Sequence, residues 1–275
     1  MIIAIDLGGT KIRAGLINGS NISQILYEPC KADQAEEVVI DQLCSMIDTL
    51  MCPQVTAIGI GVPSVVDAEK GIVYDVVAIP SWKEVHLKEI LEQKYGLPVH
   101  VDNDCNCFAL GVATFGEAKP FANSVCITLG TGVGAGIIIG HKLYRGTHTG
   151  AGEIGSLPYL DKDYEYYSSS RFFKGLGLSG KAVAEACGKG DEKALEIMKE
   201  FGTHVGKLMN MVLFAYDPDA IILGGSICNS FDYFKDSMFA EVATFPYSKI
   251  AESIQIIRTE TEYVGLFGAA AICML

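Results

Sequence analysis

Basic residues are in short supply in this chain: 21 Lys and Arg stand against 33 Asp and Glu, a formal net charge of −12. Surfaces that condense on nucleic-acid phosphates or on an anionic membrane leaflet need clustered Lys and Arg, so neither partner is expected, and a neutral substrate suits the balance better than a polyanion. A small phosphate-bearing ligand remains admissible, because backbone N–H groups, a helix N-terminus and a metal ion neutralise phosphates locally. Long apolar runs are missing too. None reaches the roughly 18 residues that a membrane span requires, and no basic segment with a cleavage site follows Met1, so a cytoplasmic, untargeted protein is expected. The nine cysteines do not frame a small domain; they form an odd set scattered through apolar stretches and read as reduced, mostly buried thiols. Nor is there a low-complexity linker. A chain of 275 residues with 49% hydrophobic content supports two domains of ordinary size around a cleft, joined by a tight hinge rather than a tether.

What is present is an alternation of strands and helices. Ile2–Asp6 is a short apolar run, followed by a glycine turn and a second run, Ile12–Ile17, with Asn18-Gly19 as a hairpin signal. A third strand near Ile25 and a helix over Ala35–Met51, with apolar residues at helical spacing and a stop at Pro53, give a β-β-β-α start. Strands over Val55–Val62 and Val99–Val101, a helix over Leu87–Tyr95 stopped by Gly96, and helical character over Cys105–Phe115 follow. The layout then repeats: a strand over Ser124–Leu129, a glycine-rich turn, a strand over Ala135–Ile139 and a return strand at His141–Tyr144. A long helix over Asp191–Tyr216, strands over Ala220–Leu223 and Glu252–Ile257, and a helix over Gly265–Met274 complete the chain. The echo of strand, glycine turn and strand points to two related halves, each a mostly parallel sheet with its active groups at carboxyl ends of strands.

Three motifs carry chemistry. In Asp6-Leu7-Gly8-Gly9-Thr10-Lys11, successive glycines let the backbone approach phosphate oxygens and take φ > 0, Thr10 offers a hydroxyl, and Lys11 a charge. Asp6 at the strand's end suits a hydrated Mg²⁺; the plain alternative is an ordinary hairpin turn. Gly130-Thr131-Gly132-Val133-Gly134-Ala135-Gly136 contains the spacing of a dinucleotide fingerprint. Ile137-Ile138-Ile139 is strand composition where that fingerprint needs a helix, so a second phosphate-binding hairpin is the better account. Asp102-Asn103-Asp104 joins a strand to a helix. N-capping explains one of these residues, not three; Asn103 can both donate to and accept from vicinal hydroxyls, and Asp104 can take the proton of an attacking hydroxyl.

Together with Gly59-Ile60-Gly61-Val62-Pro63, Gly152-Glu153-Ile154-Gly155 and Ile222-Leu223-Gly224-Gly225, these motifs resemble, in order and along the whole chain, the ROK family of actin-like sugar kinases and regulators. The resemblance implies an α/β fold of two actin-like, ribonuclease H-like domains with mixed sheets flanked by helices. The expected boundaries are 1–104 and 105–261, with a helix over 262–275 packing back on the first. It implies ATP-dependent phosphorylation of a sugar hydroxyl, with Asp104 as general base and Asn103, Glu153, Glu165 and Ser64 at the sugar. Asp6, Gly8, Gly9, Thr10, Lys11, Gly130, Thr131, Gly132, Gly134, Gly224 and Gly225 would face ATP, with Mg²⁺ held by Asp6 through water. A homodimer is expected.

The departures are informative. Zinc-bearing members place a His where Ser156 stands and follow it with a cysteine-rich knuckle, whereas this chain has no cysteine between Cys126 and Cys187, so no zinc is expected. Glu165 is aligned across that deletion, and its alternative is a plain surface carboxylate. Ser64 stands where a glycine is common. Cys105 and Cys107 are two apart on a helix and read as packing thiols. Glucose is the first substrate expected, with N-acetylmannosamine (or another N-acetylhexosamine) and fructose behind it. A sugar-responsive transcription factor is the competing class; such members carry a helix-turn-helix ahead of the first hairpin, and none is expected here.

Overall fold

The computed structural model describes residues 1–147 and 149–275. They fall into two units. Unit 1 comprises Met1–Lys119, Leu143–Ala151 and Thr261–Leu275; unit 2 comprises Pro120–Lys142 and Gly152–Glu260. Helix 104–115 belongs to unit 1, where the expected boundary puts it in the second half, because it packs on the helix over 264–271 and on the first sheet.

Unit 1 is built on strands β1 (Ile2–Leu7), β2 (Lys11–Asn18), β3 (Asn21–Pro29), β4 (Ala57–Val62) and β5 (Val99–Asn103), in the order β3-β2-β1-β4-β5. The first three are antiparallel hairpin neighbours, and β4 and β5 add in parallel. All six residues of β4 are buried, as befits a parallel strand covered on both faces. Helix α1 (Glu36–Leu50) buries Val39, Leu43, Met46, Ile47 and Leu50 along one stripe against this core. Helix α2 (Leu87–Tyr95) ends on Gly96, whose left-handed φ of 63° lets its amide return to the Glu92 carbonyl.

Helix α3 (Asp104–Phe115) starts directly off β5, and a helix over Val264–Ala271 lies on it. A Cβ on Gly268 would stand 1.6 Å from the Cys107 carbonyl oxygen, so the two helices meet backbone to backbone where no side chain fits. A three-stranded sheet over Val65–Asp67, Ile72–Tyr74 and Glu84–Val85 lies in a stretch where no element is expected.

Unit 2 repeats the plan. Strands β6 (Ser124–Leu129), β7 (Val133–Ile139), β8 (Lys142–Tyr144), β9 (Ala220–Gly224) and β10 (Gln255–Arg258) lie in the order β8-β7-β6-β9-β10, with the same antiparallel and parallel partners. The duplication read from two glycine turns is thus a duplication of a whole sheet. Its long helix, Glu192–Tyr216, opens on Asp191, whose side chain accepts from the Ala194 amide at 3.0 Å, and closes at Asp217 (φ 43°) before Pro218. Phe173, Phe201 and Phe234 stack through the core with centroids 5.1 and 5.3 Å apart, and burying a ring of that size stabilises by roughly 1.5–3 kcal/mol.

Among the boundaries that differ from expectation, two lie near the end of the chain. Glu252 lies in a short helix, Ser248–Ser253, and the strand begins only at Gln255, where pairing with β9 becomes available. The last helix ends at Ala271 and tightens into a 3₁₀ turn over Ile272–Met274. Among the described residues no helix is long and apolar enough to cross a membrane.

Candidate active site

In unit 1, acids gather at the carboxyl ends of two strands, β1 and β5, and at the start of the helix that follows β5. Asp6 on β1 is level with Gly61 on β4, and Gly61 with Asp102 on β5, so two carboxylates flank a residue without a side chain in one row. Asp104 is the first residue of α3, immediately beyond β5. Each of the first two has an arginine. Arg13 Nη1 lies 3.3 Å from Asp6 Oδ2, and Arg145 sets both Nε and Nη2 at 2.7 Å from Asp102 Oδ2. Asp104 has no ion-pair partner among the described residues.

The electrostatics follow from that pairing. Burial pushes the Asp6 carboxyl above its ordinary range, while Arg13 and Lys11 pull it back. Burial, followed by the neighbouring Asp6 charge, raises Asp104 to about 6, with hydrogen bonds from Cys105 drawing it only partly down. A carboxylate titrating close to neutrality is a better proton acceptor than an ordinary one and is still ionised at working pH.

Asn103 caps α3. Its Oδ1 accepts from the amides of Cys105 (2.8 Å) and Asn106 (3.2 Å), and its Nδ2 donates to the Ser64 carbonyl at 3.0 Å. The oxygen is fully occupied, so any ligand contact by this side chain falls to its second N–H. Ser64 turns its hydroxyl into the Tyr74 carbonyl, a bond within the unit.

The turn Gly8-Gly9-Thr10 closes with the Gly8 amide on the Lys11 carbonyl at 3.0 Å. Neither glycine takes the left-handed conformation expected of it. The reason for Gly9 is space, since a Cβ there would lie 2.5 Å from that of Ala78. Thr10 and Lys11 are exposed.

The second turn, Gly130-Thr131-Gly132, joins β6 to β7 and is followed by a strand, not a helix, as the Ile-rich composition predicts. Glu165 is placed differently from expectation. Its Oε2 accepts from the Val133 amide at 3.2 Å, its Oε1 meets Arg171 Nη1 at 2.8 Å, and a Cβ on Gly132 would fall 2.4 Å from it. The Ser170 amide adds a bond to the Gly130 carbonyl at 2.8 Å. Segment 165–171 therefore clamps the glycine turn, and Arg171 brings a cation beside it that no local pattern in the sequence announced. Glu153 is exposed, at the start of a 3₁₀ turn over Ile154–Ser156.

Gly224 and Gly225, at the end of β9, line a cavity of about 310 Å³ together with Cys228, Asn229, Arg258, Thr259 and Glu260. Gly225 has φ 89° and ψ 167°, and a Cβ there would sit 2.3 Å from the Leu129 carbonyl oxygen; only glycine connects this cavity's floor to the root of the β6–β7 hairpin. Burial pushes the Cys228 thiol up to about 12, so it is a packing group. Among the described residues, no three His, Cys, Asp or Glu side chains converge on a common metal position.

Two five-stranded sheets of one strand order, each with a glycine turn between its first two strands and with acids at strand ends in one unit, define an actin-like α/β fold. Comparison with known proteins agrees. The ROK family model matches residues 2–165 and 156–274, and the chain belongs to that family. It is similar to the glucokinase of Streptomyces coelicolor, 30% identical over 86% of this chain and 85% of the relative. It is also similar to the xylose repressor of Bacillus subtilis, 28% identical over 81% of this chain but 62% of the repressor. The crystal structure of a ROK family glucokinase from Streptomyces griseus in complex with glucose and AMPPNP superposes with a TM-score of 0.83 at 29% identity, covering 98% and 97% of the two chains.

Proposed function

We propose that the protein transfers the γ-phosphoryl group of ATP to a hydroxyl of a hexose, with Asp104 as the general base. The observation that carries this reading is the position of Asp104: a carboxyl at a strand–helix junction, without an arginine, raised to about 6 beside two acids that each have one. Asn103 and Glu153 are assigned to the sugar, with Ser64 supporting Asn103 through its carbonyl. In the turns at Gly8–Lys11 and Gly130–Gly134 the Gly8, Gly130 and Val133 amides are engaged within the protein, and the amides between them are assigned to phosphates; the cavity at Gly224–Gly225 has the size and mixed lining of a nucleoside site.

Asp6 fits a water-mediated hold on Mg²⁺. Arg13 offsets part of its charge, Gly265 leaves space beside its carboxylate, and one carboxylate with substrate phosphates is a usual Mg²⁺ arrangement. When bound, the ion neutralises charge on the transferring group.

Glucose leads as the acceptor, supported by the similarity to the two Streptomyces glucokinases; N-acetylmannosamine and fructose follow. A panel of hexoses and N-acetylhexosamines with ATP and Mg²⁺, scored by ADP release, tests the reading. We expect sugar-dependent ADP with at least one hexose and none from Asp104→Ala. Similarity to a repressor supports a second reading, sugar-dependent DNA binding, which a gel shift on genomic fragments would reveal.

A further inference from the structure

We infer that Arg145 is a positioning residue for this reaction: by gripping Asp102 it fixes the start of the helix that carries the base and neutralises the buried anion next to it. The inference rests on the reading of Asp104 as the base. Asp102 is 2% exposed, and its two oxygens are fully engaged. Oδ2 takes both Nε and Nη2 of Arg145 at 2.7 Å, and Oδ1 accepts from the Asn103 amide and from Asn106 Nδ2, each at 2.8 Å. Asn106 lies in the first turn of α3, so Asp102 ties strand end and helix start together. A buried carboxylate without its partner is among the most unfavourable groups a fold can hold, and this one lies two residues from the base.

Arg145 also belongs to the segment 143–151 that returns to unit 1 and runs directly into Gly152 and Glu153. Its carbonyl accepts from the Ala151 amide at 3.3 Å, which folds the segment back on itself. The guanidinium therefore anchors, on the strand that ends at Asn103 and leads into Asp104, the stretch that leads into Glu153. The charged group acting on Asp104 is Asp6 from β1, with Arg13 and Lys11 of β2 on it; Cys105 donates to Asp104, and the Cys107 thiol lies among Asp102, Asp104 and Asp6. Residues 264–271 bring Gly265 to Asp6 and no charge. Arg145 is thus the cation that balances the charge nearest to Asp104 along the chain.

Arg145→Met leaves the Asp102 anion bare and loosens the start of α3, and should lower kcat about 10²-fold. Asp102→Asn leaves the Arg145 cation bare and should lower kcat about tenfold, and the double variant R145M/D102N, which removes both charges, should recover to within about tenfold of the parent. A merely structural contact would lower the folded fraction and leave kcat per folded enzyme at the parental value in all three. Sugar KM should rise about tenfold in Arg145→Met, and ATP KM less than about twofold, since the segment leads to Glu153.

A parental kcat in both single variants, or a double variant no closer to the parent than Arg145→Met, would overturn the inference while leaving the reading of Asp104 intact. Should Arg145→Met fail to fold, the loss of kcat in Asp102→Asn decides alone. Retention of turnover by Asp104→Asn would overturn both.

Discussion

The two sheets share one strand order and differ in what stands at the same places. In unit 1 the row across the central strands is Asp6, Gly61, Asp102. In unit 2 the row one residue before the hairpin turn is Thr128 beside Gly224, with Thr259 next in line after Arg258 pairs with Leu223. Glycine holds the middle in both. The outer positions are carboxylates in one copy and hydroxyls in the other. Topology thus fixes where a strand end presents a side chain, and the residue there decides its partner: Asp6 and Asp102 each hold an arginine, whereas Thr259 lines the cavity beside Gly224. The turns diverge likewise: the first is packed against Ala78, and the second is clamped by Glu165 and Ser170.

The sharpest way to break this contrast is at Asp104. Replacing it with Asn should lower kcat by about 10³-fold or more, with sugar KM changed only a few-fold; a coupled ADP assay measures both. In the parent, kcat/KM should fall about tenfold per pH unit below about 6, because the protonated acid cannot accept the hydroxyl's proton. A flat profile between pH 5 and 7 would remove Asp104 from that role.

Next in size is the floor of the unit 2 cavity. Gly225→Ala forces a Cβ onto Leu129 in a backbone region that suits glycine alone, and should cost roughly 2–3 kcal/mol of stability and raise ATP KM at least about tenfold. Urea titration and initial rates read the two effects. A variant with parental KM for ATP would detach this cavity from the nucleotide.

Glu165→Ala separates two roles. A clamp on the glycine turn predicts a rise of about five- to tenfold in ATP KM with sugar KM little changed, whereas a sugar ligand predicts the reverse. The contacts favour the clamp.

The smallest effect is on stability. The Asp104 carboxyl has a higher pKa folded than unfolded, so its favourable contribution is complete below about 3.8 and is lost as pH rises through about 6. Asp104→Asn should therefore gain about 1–2 kcal/mol at pH 8 and nothing at pH 4, measured by chemical denaturation at both. A gain at pH 4 would place its origin elsewhere.

Much of this was open to a reader of the sequence, for identifiable reasons. Apolar runs around Gly8-Gly9 and Gly130-Thr131-Gly132 declare strand, turn and strand, and the stop signals at Gly96 and Pro218 work locally. The triplet 102–104 announced itself by composition, although the job of its first member did not: Asp102 answers to Arg145, 43 residues away, and no spacing rule links them. Arg171 is legible only once the fold brings it to Glu165. The small sheet over 65–85 escaped because its strands are two or three residues long and are broken by Asp67–Gly71, so no period could emerge. At Glu252–Ile257 the sequence reads as a strand, and Glu252 and Ser253 go to a helix instead because β9 offers no backbone partner before Gln255.

The helix over Val264–Ala271 completes unit 1 from the far end of the sequence. It seals β4 and α3 through contacts so close that Gly59 and Gly268 are required, yet it is translated after all of unit 2. During synthesis unit 1 must therefore wait, its central strand uncovered, while more than a hundred residues of its neighbour emerge and fold. The half translated first is the half completed last.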